Sequence, residues 1–340
     1  MPSGFGFLDS VRHRFDYLFL EGVLSQETAE LDARAGGTYQ SHPLWNCKSV
    51  SHPNESFWKA DRETGIGASE TASIFGVGYA SCSPVTVWAE KTGNPEPISP
   101  ALQRLFDRGH RMESVIAAEV VAETGWQVND TGEYTIFRSK DERFGRLFAT
   151  LDREVIHPDF GPCPLEMKNV HGRFWRDYEG DEAPLKHVVQ CQHQMAVTGA
   201  THVVLAVLVG GADLKIYIIE RNEQFIEAMV TKLDEFWGYV ERREMPPVDE
   251  SEATAKALAR IYPEDDGETV DLPSEASKWD EELEEIKARQ KEVKEERIAL
   301  ENKIKAALGV ATFGQLPDGC LLYTSPSPRD RTRSRMPSSA

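Results

Sequence analysis

The segment that most constrains this chain is Leu151-Asp152-Arg153 followed by Leu165-Glu166-Met167-Lys168, with thirteen residues between Asp152 and Glu166. Side chains alternate faces along a strand, so Glu166 and Lys168 point to one side while Met167 turns into the core. The intervening Pro158-Asp-Phe-Gly-Pro162 is hairpin chemistry. The hairpin can therefore bring Asp152, at a break in the preceding strand, opposite Glu166 and Lys168. Two carboxylates meeting at one point repel each other unless a hard divalent cation sits between them. Mg²⁺, with Mn²⁺ as a substitute, resolves that repulsion and can accept a phosphate oxygen and a water. Lys168 would then orient or deprotonate the water, or steady the charge that grows on the phosphate. The plainer alternative is a surface hairpin with a Glu166–Lys168 salt bridge, since the E-x-K tripeptide alone occurs in many chains.

The flanking pattern reads as an α/β (α+β) fold, a central mixed sheet flanked by helices. Residues 1–57 hold one helix pattern, Phe15 to Leu31, and then a polar stretch with no evident chemistry. Gly65-Ile-Gly-Ala-Ser69 opens a short helix, and a second segment closes at Trp88-Ala-Glu-Lys-Thr-Gly93. A helix is expected over Ala101–Thr124, stopped by Gly125. Strands follow at Glu133–Phe137, Phe144–Ile156 (broken near Leu151) and Pro164–Val170. A helix over Leu185–Val197 leads into Val203–Val209, apolar enough for a strand buried on both faces. Leu214–Ile219 alternates, and Asn222–Arg243 is amphipathic. Past Pro247 an acidic linker with a short helix runs to residue 277. Trp279, Ile286, Val293, Leu300 and Ala307 then recur every seven residues and predict one long C-terminal helix over Lys278–Leu308, packed on the body or on a neighbouring subunit rather than free-standing. Residues 320–340 look like the translation of a sequencing adapter, with a disordered basic tail as the alternative.

Composition narrows the function. With 38 Lys+Arg against 56 Asp+Glu the net charge is −18. The molecule as a whole repels polyanions, so nucleic acid must be held in a local basic groove or through metal ions. The five cysteines are scattered without a CxxC pair, which disfavours a disulfide framework or a zinc ribbon. The Gly-x-x-x-x-Gly-Lys-Ser/Thr loop of nucleotide hydrolases is missing. His187 and His193 are six apart and do not share a helix face; His171 and His202 sit near strand ends, so zinc chemistry gains no support. No apolar run reaches the roughly 20 residues needed to span a bilayer, and no secretory pattern opens the chain. A cytoplasmic location is the expectation. Trp175 and Tyr178, among Arg173 and Arg176, either stack on a base or pack as a hydrophobic cap.

Glu113, in Gly109-His-Arg-Met-Glu113, lies on the helix before the strands; Gln190 and Gln194, one turn apart, lie on the helix after them. Together with Arg62-Glu-Thr-Gly-Ile-Gly-Ala-Ser69, the Trp88–Gly93 segment, Leu151-Asp152, Leu165–Lys168 and Gln190-Cys-Gln-His-Gln-Met-Ala-Val-Thr-Gly199, these motifs resemble the YqaJ-like viral recombinases. Those proteins are relatives of phage lambda exonuclease within the PD-(D/E)XK nuclease superfamily. The likeness covers about residues 57 to 247, and the expected divisions are 1–57 (extension of unknown role), 58–248 (exonuclease domain), 249–277 (linker), 278–319 (long helix) and 320–340 (tail).

The resemblance implies a Mg²⁺-dependent 5′-to-3′ exonuclease on double-stranded DNA ends, working with a single-strand annealing protein and assembling as a ring-shaped homotrimer. By that resemblance Asp152, Glu166 and the Met167 carbonyl hold the metal, Lys168 serves the attacking water, and Glu113 supports a second metal or its waters. Gln190 steadies the lysine or the phosphate; Arg62 and Ser69 hold the 5′-phosphate. Gln194 stands where the Gln-x-x-x-Tyr pattern of RecB-like nucleases has tyrosine. Rival readings are an endonuclease on the same core and a non-catalytic protein that binds DNA ends or a partner.

Overall fold

A computed structural model describes residues 38–323 and 335–336. The helix expected over Phe15–Leu31 and most of the tail lie outside the described residues. The chain divides after Glu264 into two units. In chain order the first contains β1 (Gln40–Ser41), β2 (Cys47–Ser51), α1 (Glu55–Arg62), β3 (Ile66–Gly67), α2 (Ala68–Ile74), α3 (Pro84–Lys91) and α4 (Pro100–Thr124). It continues with β4 (Gln127–Asp130), β5 (Thr135–Ser139), β6 (Leu147–Ala149), β7 (Arg153–His157), β8 (Gly161–Val170) and α5 (Leu185–Thr198). Strands β9 (His202–Val209) and β10 (Asp213–Glu220) and helices α6 (Glu223–Arg242) and α7 (Glu252–Ile261) complete it.

The helices begin and end where local chemistry dictates. Ser99 caps α4 by accepting from the Leu102 N–H, Pro100 takes the first helical position, and Gly125 ends the helix with φ at 70°. Asn222 caps α6 in the same way, accepting from the Phe225 N–H. Gly199 ends α5 at φ 75°, and a Cβ there would lie 3.1 Å from the Asn46 Cβ. Both the left-handed backbone and the close approach favour glycine.

The strands form two five-stranded sheets, not the single sheet expected from sequence. One has the order β1-β2-β5-β6-β3, the other β10-β9-β8-β7-β4. The second is mixed: β7 pairs antiparallel with β8, β8 runs parallel to β9, and β9 is antiparallel to β10. The break anticipated near Leu151 is the point where the chain leaves the first sheet after Ala149 and enters the second at Arg153. Buried apolar residues continue on both sides of that switch, at Leu147, Phe148, Ala149, Leu151 and Val155, which is why the sequence reads as one interrupted strand.

Strand β9 accounts for the layering. Val203, Leu205, Val207 and Val209 belong to a core shared with α5, while Val204, Ala206 and Leu208 belong to a second core with Ile116 and Val120 of α4. Helix α4 thus covers one face of the mixed sheet. The other core also takes in Phe137, Leu147 and Ala149 of the first sheet, and ten of the fourteen residues of α5 are buried. A helix enclosed to that extent has no solvated face, so its polar residues must find partners inside the protein.

Two sequence-based boundaries shift. Strand β2 pairs with β5 from Cys47↔Ser139 to Ser51↔Thr135, and Trp45, Cys47 and Val50 are buried. The segment before residue 58 therefore supplies part of the first sheet. Helix α7, within the stretch read as a linker, buries Ala253, Thr254 and Ala257, and the Thr254 hydroxyl donates to Ser83 Oγ at 2.9 Å. The short polar edge strand β4 has no signal in the sequence.

The second unit contains α8 (Ala276–Leu308), with no buried residue, and the strands β11 (Phe313–Gln315), β12 (Leu321–Tyr323) and β13 (Arg335–Met336). At 1.5 Å per residue, α8 is about 50 Å long. No helix among the described residues is long and apolar enough to cross a membrane.

Met229 on α6 is fully buried in the larger core. Met229→Ala should lower the free energy of unfolding by about 2–5 kcal/mol in urea titration. Val248→Ala, at a residue 62% exposed, should stay within about 0.5 kcal/mol of the parent.

Candidate active site

Asp152 leaves the sheet crossover and its Oδ2 accepts a hydrogen bond of 2.7 Å from the Met167 N–H. The ladder between β7 and β8 ends at Arg153↔Leu165, so beyond Leu165 the edge of β8 is bare on that side. The N–H and C=O of one strand residue point the same way. The carboxylate of Asp152 therefore takes the place of the missing strand, and the Met167 carbonyl lies along the same edge.

Pleating then separates the side chains. Met167 enters the α4 core, whereas Glu166 and Lys168 face α5. Glu166 is 1% exposed. Its Oε1 accepts from Gln190 Nε2 at 2.8 Å and also from Lys168 Nζ; its Oε2 accepts from Gln194 Nε2 at 2.5 Å. Lys168 keeps 23% of its side-chain surface, so the group opens to solvent on the lysine side. The structure thus brings together Asp152, Glu166, Lys168 and Gln190, as the sequence motifs anticipated.

Charge makes this cluster tense. Burial raises the Asp152 pKa well above the usual carboxylate range, the negative Glu166 adds to the rise, and Lys168 opposes it. Burial also raises Glu113, while nearby His110 and Arg153 pull it down and Glu166 pushes it up. Glu113 on α4 is therefore close enough to interact through charge. For Lys168 burial works against the ammonium, but Glu166 and Asp152 outweigh it and the pKa is raised. Lys168 is an ammonium that neutralises the pair from within.

The available donors are oxygens: two carboxylates and one peptide carbonyl. Among the described residues no group of three His, Cys, Asp or Glu side chains is gathered closely enough to hold a metal ion. The fit to a divalent cation rests instead on the repelling pair, and an all-oxygen set matches Mg²⁺ or Mn²⁺ rather than zinc.

Arg62 lies beside this cluster. Its Nη1 donates to Thr150 Oγ1 at 3.0 Å, two residues before Asp152, and its guanidinium lies over the rings of Trp58 (4.5 Å) and Phe148 (5.1 Å). Sequence reasoning missed its companions. Lys91 Nζ sits 2.9 Å from Glu70 Oε1 and donates to the Arg62 carbonyl, while Glu70 Oε2 accepts from the Gly67 N–H. Their only sequence signal is position: Lys91 lies within the Trp88–Gly93 motif, and Glu70 directly follows the motif that ends at Ser69. Ser69 is exposed in the first turn of α2.

The two histidines of α5 are buried and bonded within the fold. Burial lowers the pKa of His193 to about 3; neutral, it meets Thr71 Oγ1 at 2.7 Å and the Phe148 carbonyl at 3.1 Å, tying α2 and β6 to α5. His187 is likewise lowered to about 3 by burial, with help from Lys168 and Lys186, and meets Tyr178 Oη at 2.9 Å. Tyr178 is buried, so of its two readings packing applies, whereas Trp175 is 49% exposed with Arg176 over its ring.

Fold and site together define an α/β protein that presents two acids and a lysine at the end of a strand ladder. Residues 57–201 match the YqaJ-like viral recombinase domain, and the match includes each anticipated site residue. Over 261 residues the chain is 27% identical to YqaJ of Bacillus subtilis (strain 168), a protein described as uncharacterized, covering 76% of this chain and 79% of that one. Among solved structures it is similar to an alkaline exonuclease from Laribacter hongkongensis, with 20% identity and a TM-score of 0.41 over 56% of this chain and 94% of that one. The same exonuclease in complex with dAMP gives 21% and 0.42 over 62% and 98%.

The raised Asp152 pKa has a testable sign. A carboxyl whose pKa is raised by folding weakens the fold as pH rises through that range. In EDTA, Asp152→Asn should therefore melt at a higher temperature than the parent at alkaline pH. The difference should shrink as pH falls and Asp152 takes up its proton; thermal melts across pH check this.

Proposed function

We propose that the chain is a metal-dependent DNA nuclease that digests double-stranded ends from the 5′ terminus, leaving single strand for a single-strand annealing protein. The observation that carries this reading is the junction of Asp152, Glu166 and Lys168, where two repelling carboxylates are held together beside a lysine whose side chain keeps part of its surface. The match to a viral recombinase domain supplies the recombination context.

In this reading Asp152, Glu166 and the Met167 carbonyl would hold Mg²⁺, or Mn²⁺ in its place. The cation, when bound, polarises the phosphodiester and acidifies a water. Lys168, relieved of part of its charge-pairing duty on Glu166, orients that water and offsets the negative charge that develops on the phosphate oxygens. Its raised pKa suits charge stabilisation better than proton abstraction. Gln190 keeps Glu166 in place, and Glu113 supplies a further acid for metal-bound waters. Arg62, with Ser69 at the start of α2, receives the terminal 5′-phosphate: a guanidinium fork matches phosphate geometry. A homotrimer encircling the duplex would confine the substrate without requiring a basic surface overall.

The test uses linear duplex with a labelled 5′-phosphorylated end, and closed circular duplex as comparison. Mg²⁺-dependent shortening from the 5′ terminus, abolished by EDTA, with the circle left intact, is expected; nicking of the circle would make the protein an endonuclease. Lys168→Ala should reduce digestion by about 10²-fold or more while duplex binding persists. A parent protein that never cuts with either metal would overturn the nuclease reading in favour of a binding protein. Separately, Arg62→Ala should remove the preference for phosphorylated over unphosphorylated ends, read as the ratio of initial rates on the two substrates.

A further inference from the structure

We infer that Gln194 is a positioning residue for Glu166: with Gln190 one turn earlier on α5, it fixes the plane of the carboxylate that would meet the metal. The inference rests on the metal-dependent reading above and adds to it a residue on which that reading made no demand. The two amides divide the carboxylate between them, Gln190 on Oε1 and Gln194 on Oε2. Lys168 also donates to Oε1. Gln194 is thus the one hydrogen-bond donor to Oε2 among the described residues.

Three observations separate this role from ordinary packing. Gln194 is fully buried, at a helix position whose neighbours Cys191, Met195 and Ala196 are core residues. Its own Oε1 is buried and has no hydrogen-bond partner. A buried acceptor left unpaired weakens a fold, whereas methionine or leucine would fill the same space without that loss. Turning the amide over would set its oxygen against a carboxylate oxygen, so the assignment of Nε2 toward Glu166 follows from charge. The side chain therefore accepts an unsatisfied atom in order to donate to Glu166.

The use of two neutral amides matters. The terminal torsion of glutamate is soft, and a cation that held it in place would also cancel its charge. Amide donors hold the group while leaving its negative charge for a metal. When Lys168 turns toward a water or a phosphate, Gln190 and Gln194 keep Glu166 from turning with it.

The test is calorimetric titration of the intact protein with Mn²⁺ in the absence of DNA, beside thermal melts in EDTA and the metal dependence of digestion. Gln194→Met removes the unpaired Gln194 Oε1 but also the donor to Glu166 Oε2; Gln194→Asn keeps an amide but withdraws it by one methylene. Both should bind Mn²⁺ about 10- to 100-fold more weakly than the parent. Half-maximal digestion should need correspondingly more metal, in variants whose melts in EDTA show that they fold. Parent-like Mn²⁺ affinity in a folded Gln194→Met would overturn the inference and leave the nuclease reading standing. Should Gln194→Met not fold, Gln194→Asn decides by the same criterion. A parent protein that binds no Mn²⁺ would overturn both readings.

Discussion

The hydrogen bond from the Met167 N–H to Asp152 Oδ2 is the constraint around which the first unit is arranged. It lies where the chain crosses from one sheet to the other and the β7–β8 ladder runs out. A side-chain carboxylate supplies the acceptor that the next strand residue would have offered, so the backbone of β8 stays paired while the acid is drawn beside Glu166. Folding thus forces together two groups that repel, and the lysine two residues along the same strand limits the penalty. Stability and chemistry compete at one point, a pattern expected of sites that act on charged substrates.

The acids and lysine were legible in the sequence because they depend only on the two-residue period of a strand and on a hairpin marked by two prolines and a glycine. The helices were legible for an equally local reason: Ser99 with Pro100, Gly125, Asn222 and Gly199 are stop and start signals that act within one turn. Strand β9 declared itself by being apolar at every position from Val203 to Val209, since both its faces are covered.

What escaped is long-range. Passage from one sheet to the other at Thr150–Asp152 runs through a stretch rich in buried apolar residues, Leu147, Phe148, Ala149, Leu151 and Val155, so nothing in the residues distinguishes a switch of sheets from a bulge. Strand β2 is mostly polar, and its two buried residues, Cys47 and Val50, belong to separate apolar clusters. Glu70 and Lys91 are twenty-one residues apart, and their pairing depends on how α2 and α3 pack. The spacing of Gln190 and Gln194 revealed a shared face, but that the face looks onto Glu166 could be learned only from the packing of α5 against β8.

Consecutive residues of α5 serve different masters. His193 is bonded to Thr71 at the foot of the helix that follows Arg62 and to the carbonyl of Phe148, whose ring lies beneath that arginine; Gln194 grips Glu166. Successive side chains on a helix are about 100° apart around its axis, so any roll of α5 that slackens one of these attachments must strain the other. The surroundings of Arg62 and the acid pair are therefore both anchored on consecutive residues of one helix.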